Sequence, residues 1–301
     1  MKETCNSQSK PTRNSHWVPQ GYLRAFAAEH NSTKIWRFGH TQGDAELKRI
    51  EKVAYRHHLY AARDPMTGVR DDALEKKLAD LEQWFGNPVW RALQRDVIDL
   101  GWAPLRKMIA LLMAVMMLRN PKTLELYRQM HRELVEFYSQ FDRLPDQVTI
   151  GGQTYEIDKA SWPDFRAGDE ESVKRIWFTS INNAVEYANM FLSMRWSMMM
   201  APRPCFITSD DPVVFSHPSL RFKGINNRKT SIHFPISPTR VLCLDHLHDE
   251  PANQYYPVNE DGYIATNLLT WRGALNYMFT HRHPDSVSRE LLAEAERQGY
   301  A

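Results

Sequence analysis

The sequence predicts an α+β fold: a helical core with a smaller, mostly antiparallel β-sheet formed from an N-terminal hairpin and C-terminal strands. Three observations lead there. The run MIALLMAVMML, Met108–Leu118, is apolar all round, as in a central helix packed on several sides. Near the N-terminus, TKIWRF (33–38) and LKRIEKV (47–53) alternate apolar and polar residues about a turn-like GHTQGD. Past Pro202 the chain breaks into short apolar runs, CFIT, VVF, SIHFPI and RVLCL, separated by Pro, Asp and Asn. With 301 residues there is material for a sizeable core. The expected organisation is a disordered lead over 1–15 and one composite domain over 16–301.

The elements follow in order. Residues 1–15, MKETCNSQSKPTRNS, are polar and lack the apolar centre of a signal peptide. From Val18 a helical pattern sets in, with Tyr22, Leu23 and Phe26 on one side. After the hairpin, Leu74, Leu78, Leu81 and Phe85 fall at helical spacing. Gly86-Asn87-Pro88 interrupts them, and Trp90, Leu93 and Val97 resume the period. Pro104 suits a first helical turn, and the apolar helix behind it ends at Arg119-Asn120-Pro121. Tyr127, Met130, Leu134, Phe137 and Phe141 form the stripe of the next helix. VTIGGQTYEI (148–157) reads as a hairpin around Gly151-Gly152. A long helix is expected over 169–200, with Trp177, Ile181, Ala184, Ala188 and Leu192 inward. After the short strands, Ile264, Leu268, Trp271, Leu275 and Met278 mark a further helix, and a charged helix follows Pro284.

Composition narrows the function classes. The hydrophobic fraction is 43% and the charged fraction 25%, as in ordinary soluble globular proteins. A formal net charge of +2 gives no overall field toward nucleic acid or an anionic membrane. The longest apolar run falls well short of the about 20 residues that a membrane span needs, so no membrane partner is expected. Cys5, Cys205 and Cys243 have no CxxC spacing, which suggests reduced thiols and a cytoplasmic location. Phosphate loops, GxGxxG, GxSxG and HExxH motifs are all missing from the sequence.

Two polar segments carry candidate chemistry. HWVPQ brings His16, a base near neutral pH, and Gln20 four residues on. Both share a face if the helix begins at His16. Pro19 fits a first turn better, which leaves His16 on the incoming strand or loop. TSDDPVV (208–214) puts Asp210 and Asp211 after an apolar strand, a place suited to acid–base work or to a metal. In extended chain the two point opposite ways, so one dominates. An Asx-turn before Pro212 is the competing structural account. The pairs His57-His58, His246 with His248, and His281 with His283 raise a metal reading, against solvated or helix-capping histidines. Arg119 closes the most apolar helix and needs a carboxylate, with Glu75 and Glu82 as candidates, or an anionic ligand. The tryptophans mostly fall at core spacing rather than beside a basic face.

With both motifs in view, the chain resembles the domain-of-unknown-function 4238 family, found mainly in microbes. The family's N-terminal signature H-[YF]-x-P-[QR]-x-[YF]-L-x-x-F is matched by His16, Pro19, Gln20, Tyr22, Leu23 and Phe26. Its later [FI]-x-T-S-D-x-P is matched by Ile207, Thr208, Ser209, Asp210 and Pro212. FPISPTRVL (234–242) is similar to a third family segment. Arg119 and Asn267 stand where the family tends to carry an arginine and an asparagine. Trp17 and Asp211 depart from the usual residues. The match runs over residues 15–280. It implies that His16, Gln20, Ser209 and Asp210 belong to one site.

Two functional readings follow. The first is an intracellular hydrolase of a nucleotide, a nucleic acid or another phosphodiester. There His16 and Asp210 are catalytic, Asp210 orienting the histidine or holding a divalent metal. Gln20, Arg119, Ser209 and Asn267 bind the substrate. The second is a non-catalytic binding or sensor module for a small anionic molecule.

Overall fold

The computed structural model describes residues 14–299 apart from 41–43, 65, 142, 151, 169 and 219–223. Strand β1 (Asn14–His16) takes up Asn14 and Ser15, which the sequence placed in the lead; residues 1–13 lie outside the described residues. Pro19, with extended backbone, opens helix α1 (Gln20–Leu23), which a 3-10 turn prolongs to Phe26. The expected hairpin is β2 (Lys34–Phe38) with β3 (Glu46–Arg49); residues 41–43 of its loop are outside the described set. Short strands β4 (Tyr55–His57), β5 (Ala62–Arg63) and β6 (Arg70–Asp71) lead to α2 (Ala73–Glu82). Asn87 then caps α3 (Pro88–Arg95), its Oδ1 accepting from the Val89 N–H at 2.8 Å, so the Gly-Asn-Pro interruption starts a helix. α4 (Ala103–Leu118) is the central apolar helix, and Asn120 caps α5 (Pro121–Ser139) in the same way as Asn87 caps α3.

Beyond lie the hairpin β7 (Gln147–Ile150) and β8 (Gln153–Glu156), whose turn residue Gly151 is outside the described residues, and the short α6 (Trp162–Arg166). Next come α7 (Glu170–Asn182), α8 (Ala184–Ser193), β9 (Arg195–Met200), β10 (Thr208–Ser209), β11 (Val214–Ser216), β12 (Ser231–Ser237), β13 (Arg240–Asp245) and β14 (Gln254–Pro257). The last elements are α9 (Glu260–Gly273), β15 (Met278–Thr280) and α10 (Pro284–Arg297).

The sequence anticipates one sheet and the structure has two principal ones. A four-stranded antiparallel sheet, in the order β10-β15-β2-β3, joins the N-terminal hairpin to late strands. A five-stranded sheet, β11-β12-β13-β9-β14, is antiparallel except where β14 runs parallel to β9. The main core draws on residues from Trp17 to Phe279.

Four expectations are corrected. The helix expected over 169–200 breaks at Asn183 and ends at Ser193; RWSMMM is β9, with Trp196 and Met198 fully buried against its neighbours. CFI is no strand, because the Cys205 and Phe206 N–H groups both donate to the Pro238 carbonyl and Ile207 N–H to the Asn267 side chain. The late helix stops at Gly273, and Met278 lies in β15, for a reason given below. The α5 stripe is real but uncovered: Met130, Leu134, Phe137 and Phe141 are 41–53% exposed, and only Pro121 and Leu124 of that helix are buried.

Candidate functional site

β1 delivers His16 and Pro19 turns the chain into α1, so Gln20 comes back over the imidazole. His16 Nε2 donates to the Glu51 carbonyl at 3.2 Å. That bond puts the proton on Nε2 and leaves Nδ1 as acceptor, 3.5 Å from Gln20 Nε2. The Tyr55 ring lies 5.7 Å away. Burial lowers the His16 pKa more than the Glu51 carbonyl and the Glu82 carboxylate raise it, so the ring is neutral near pH 7. The His16 main-chain carbonyl accepts from Arg119 Nη2, while Arg119 Nη1 pairs with Glu82 at 2.7 Å. Of the two acids considered for Arg119, Glu82 is the partner. The Arg119 guanidinium lies 5.4 Å from the Tyr60 ring, and Tyr60 OH donates to the Arg119 carbonyl. Arg119 is thus a buried strut of the N-terminal motif.

The second motif is spent on the backbone in the same way. Asp210 is fully buried. Its carboxylate accepts from the N–H groups of Leu275, Asn276 and Tyr277 at 2.8, 2.9 and 3.1 Å. This captured turn ends α9 and aims the chain into β15. Burial outweighs the three hydrogen bonds and pushes the Asp210 pKa up to about 6. Ser209 Oγ accepts from the Asp211 N–H at 3.2 Å, a local turn.

The two motifs do meet. Trp17 Nε1 and Asn120 Nδ2 both donate to the Asp210 carbonyl at 2.9 Å. Tyr22 OH bonds Thr208 Oγ1 and the Pro235 carbonyl, each at 2.7 Å. The joint is made through main-chain oxygens and ring donors. The His16 ring bonds Glu51 and Gln20, and the Asp210 carboxylate bonds the 275–277 backbone, so these two are not partners. Asn267 lies apart on α9, with Oδ1 accepting from Ile207 N–H and Nδ2 donating to the Cys205 carbonyl. No group of three or more His, Cys, Asp or Glu among the described residues is arranged to hold a metal.

Motif reading missed a cleft on the far side of α1. It has a volume of about 910 Å³. One wall is the helix-turn of Arg24, Ala25 and Ala27 with Glu29. The facing wall is α3 and the turn before it, with Phe85, Trp90, Arg91, Gln94 and Arg95. The side chains of Arg24 and Arg95 make no hydrogen bond or ion pair among the described residues, and Arg91 reaches only the Gly86 carbonyl, at 3.1 Å. Of the two acids lining the cleft, Glu82 is neutralised by Arg119, leaving Glu29. Two buried side chains in the lining are under-satisfied: Trp90 Nε1 has no acceptor, and the His281 ring is faced only by the Pro204 carbonyl, without a well-formed hydrogen bond. Burial, helped by the Arg282 charge, pushes the His281 pKa down to about 4. A smaller polar cavity of about 350 Å³, lined by Gln20, Arg24, Thr33, Arg49 and Glu51, lies on the His16 side of α1. Gly21 lets α1 approach so closely that a Cβ there would come within 2.7 Å of Phe85 Cβ. The sequence does carry one signal for the cleft: Arg91 and Arg95 are four apart, on the face opposite buried Leu93.

A family model described as "Protein of unknown function (DUF4238)" matches residues 14–284. No curated protein and no solved structure matches the chain.

Proposed function

The chain belongs to the DUF4238 family, and we propose, from the geometry of its cleft, that it is a binding module for a small anionic molecule, held between α1 and α3. One observation carries this: three arginines, Arg24, Arg91 and Arg95, face a single cavity with one unneutralised acid to oppose them. Arginines without carboxylate partners at a concave surface focus a positive potential and match planar oxyanions in bidentate fashion. Residence in a reducing compartment, the cytoplasm, is consistent with the free, buried thiols of Cys205 and Cys243.

Hydrolysis of a phosphodiester has less support. Of the groups it would use, Asp210, Arg119 and Asn267 are each engaged with the fold. His16 is itself held by the Glu51 carbonyl and the Gln20 amide, and it does not line the cleft.

The test is thermal stabilisation by inorganic phosphate, pyrophosphate and citrate, read beside hydrolysis of bis-p-nitrophenyl phosphate with and without Mg²⁺ or Mn²⁺. A ligand at about 100 times its Kd adds roughly 2.7 kcal/mol. Stabilisation that Arg91→Gln and Arg95→Gln abolish, with no turnover, is the expected result. Turnover lost in His16→Ala would replace this reading with the hydrolase.

A further inference from the structure

We infer that the ligand of this cleft is a nucleoside phosphate, an inference that rests on the anion-binding reading above. Size is the first argument. A cavity of about 910 Å³ lies toward the upper end of the roughly 300–1,000 Å³ of small-molecule sites. A lone phosphate would leave most of it empty.

The lining supplies the second argument, because its chemistry is divided. Arg91 and Arg95 stand one turn apart on α3, so both guanidinium groups can address one phosphate, with Arg24 on the opposite wall. The rest of the lining is uncharged apart from Glu29 and the paired Glu82. It offers the amides of Gln83 and Gln94, the Thr239 hydroxyl, and apolar surface from Phe85, Trp90 and two prolines. Pyrophosphate or citrate would leave that neutral surface uncovered. A wholly apolar ligand would strand the arginines. A phosphate joined to a flat, hydrogen-bonding ring uses both parts.

Two buried polar groups of the lining point the same way. Trp90 Nε1 is a donor buried without a partner, and the neutral His281 ring, faced by the Pro204 carbonyl, keeps a nitrogen that no group satisfies. Unsatisfied groups of this kind cost stability in the free protein. A heteroaromatic ring edge carries the acceptors and donors they lack, once a small shift of side chains opens the way to them. A sugar phosphate does not.

The experiment is titration calorimetry on the full chain at low salt. AMP, GMP, CMP and UMP are compared with ribose 5-phosphate, the four nucleosides and inorganic phosphate. At least one nucleotide is expected to bind about tenfold or more tighter than ribose 5-phosphate and than its own nucleoside. Trp90→Phe should erase the preference over ribose 5-phosphate. Gln83→Ala, at an exposed position, should reduce it severalfold and serves if Trp90→Phe does not fold. Arg95→Gln should weaken nucleotides and ribose 5-phosphate alike. Equal affinity for nucleotides, ribose 5-phosphate and phosphate, lost in Arg95→Gln, would overturn the nucleoside inference and leave the anion reading standing. Nucleosides binding as well as nucleotides, or no binding by any probe, would overturn both.

Discussion

Trp17 Nε1 donates to the main-chain carbonyl of Asp210 at 2.9 Å, across 193 residues of chain. The contact joins the two sequence motifs, and it is made by the residue that departs from the family's usual tyrosine or phenylalanine. A phenol at this position would carry its donor on a different arm. A phenylalanine would carry none. In either case Asn120 Nδ2 would remain on the same oxygen.

Trp17→Phe should therefore cost about 1–3 kcal/mol, the loss of one buried hydrogen bond plus a small cavity. Urea denaturation of the two proteins measures it. Paired with Asn120→Ala, the double variant should fall short of or exceed the sum of the singles, because both donors serve one acceptor. Strict additivity would mean that the carbonyl does not couple them.

Asp210→Asn should destabilise by about 2 kcal/mol at pH 7, since an amide presents an N–H donor where the backbone already offers N–H donors. The pH dependence has a definite sign. The folded pKa is raised to about 6, above the ordinary 3.8 of the unfolded chain. The folded state thus takes up the proton first, and this group's contribution to stability is full below about 3.8 and lost as pH rises through 6. The gap between wild type and Asp210→Asn should accordingly widen on going from pH 7 to pH 4. The depressed histidines His233 and His281 oppose the trend in both proteins, so they cancel in the comparison. A gap that narrows on acidification would contradict the raised pKa.

Gly21→Ala should lower stability by about 1–3 kcal/mol, as an added methyl overpacks against Phe85. Phe85→Ala should not relieve it, because the collision is with Phe85 Cβ, which alanine retains. Thermal midpoints of the single and double variants decide this.

His281 links the cleft to pH. Neutral in the free protein, with a pKa of about 4, it is faced by Arg282, which opposes its protonation, and by Glu29 and the Pro204 carbonyl, which favour it. An anion in the cleft raises that pKa, so binding takes up part of a proton and tightens as pH falls from 6 toward 4. Calorimetry in buffers of different ionisation enthalpy reads the proton uptake. His281→Gln should retain binding at pH 7 and lose the uptake.

Much of the fold was legible because its signals are local. The α4 run and its arginine-asparagine-proline end are written within a few residues of where they act, while the N-caps made by Asn87 and Asn120 were read only as an interruption and an end. The junction from α8 to β9 was not, because Leu192 to Met200 contains no glycine or proline and methionines suit either periodicity. The end of α9 was hidden for a different reason: the group that captures residues 275–277 is Asp210, more than 60 positions earlier. At the site, resemblance placed the two motifs near one another, and they do touch. Residue types offered chemistry for Asp210 beside an Asx-turn, and its carboxylate is instead spent on distant backbone N–H groups; for Arg119 they offered a structural pair with Glu75 or Glu82 beside an anionic ligand, and Glu82 is the partner. Nothing in the sequence sets α3 opposite α1, so Arg91 and Arg95 read as solvated charges.

The sheet order β10-β15-β2-β3 has a consequence for synthesis on the ribosome. The β2 strand, residues 34–38, lies between β3 and a strand that is translated some 240 residues later. Trp17 and Tyr22 likewise wait for residues 208–235 before their donors find acceptors. The nascent amino-terminal third thus emerges with one edge of its hairpin open and its aromatic anchors uncovered, and only local pairings and the first helices can form as it grows. Closing the structure is a late, long-range event, of the kind that slows folding and lengthens exposure to chaperones.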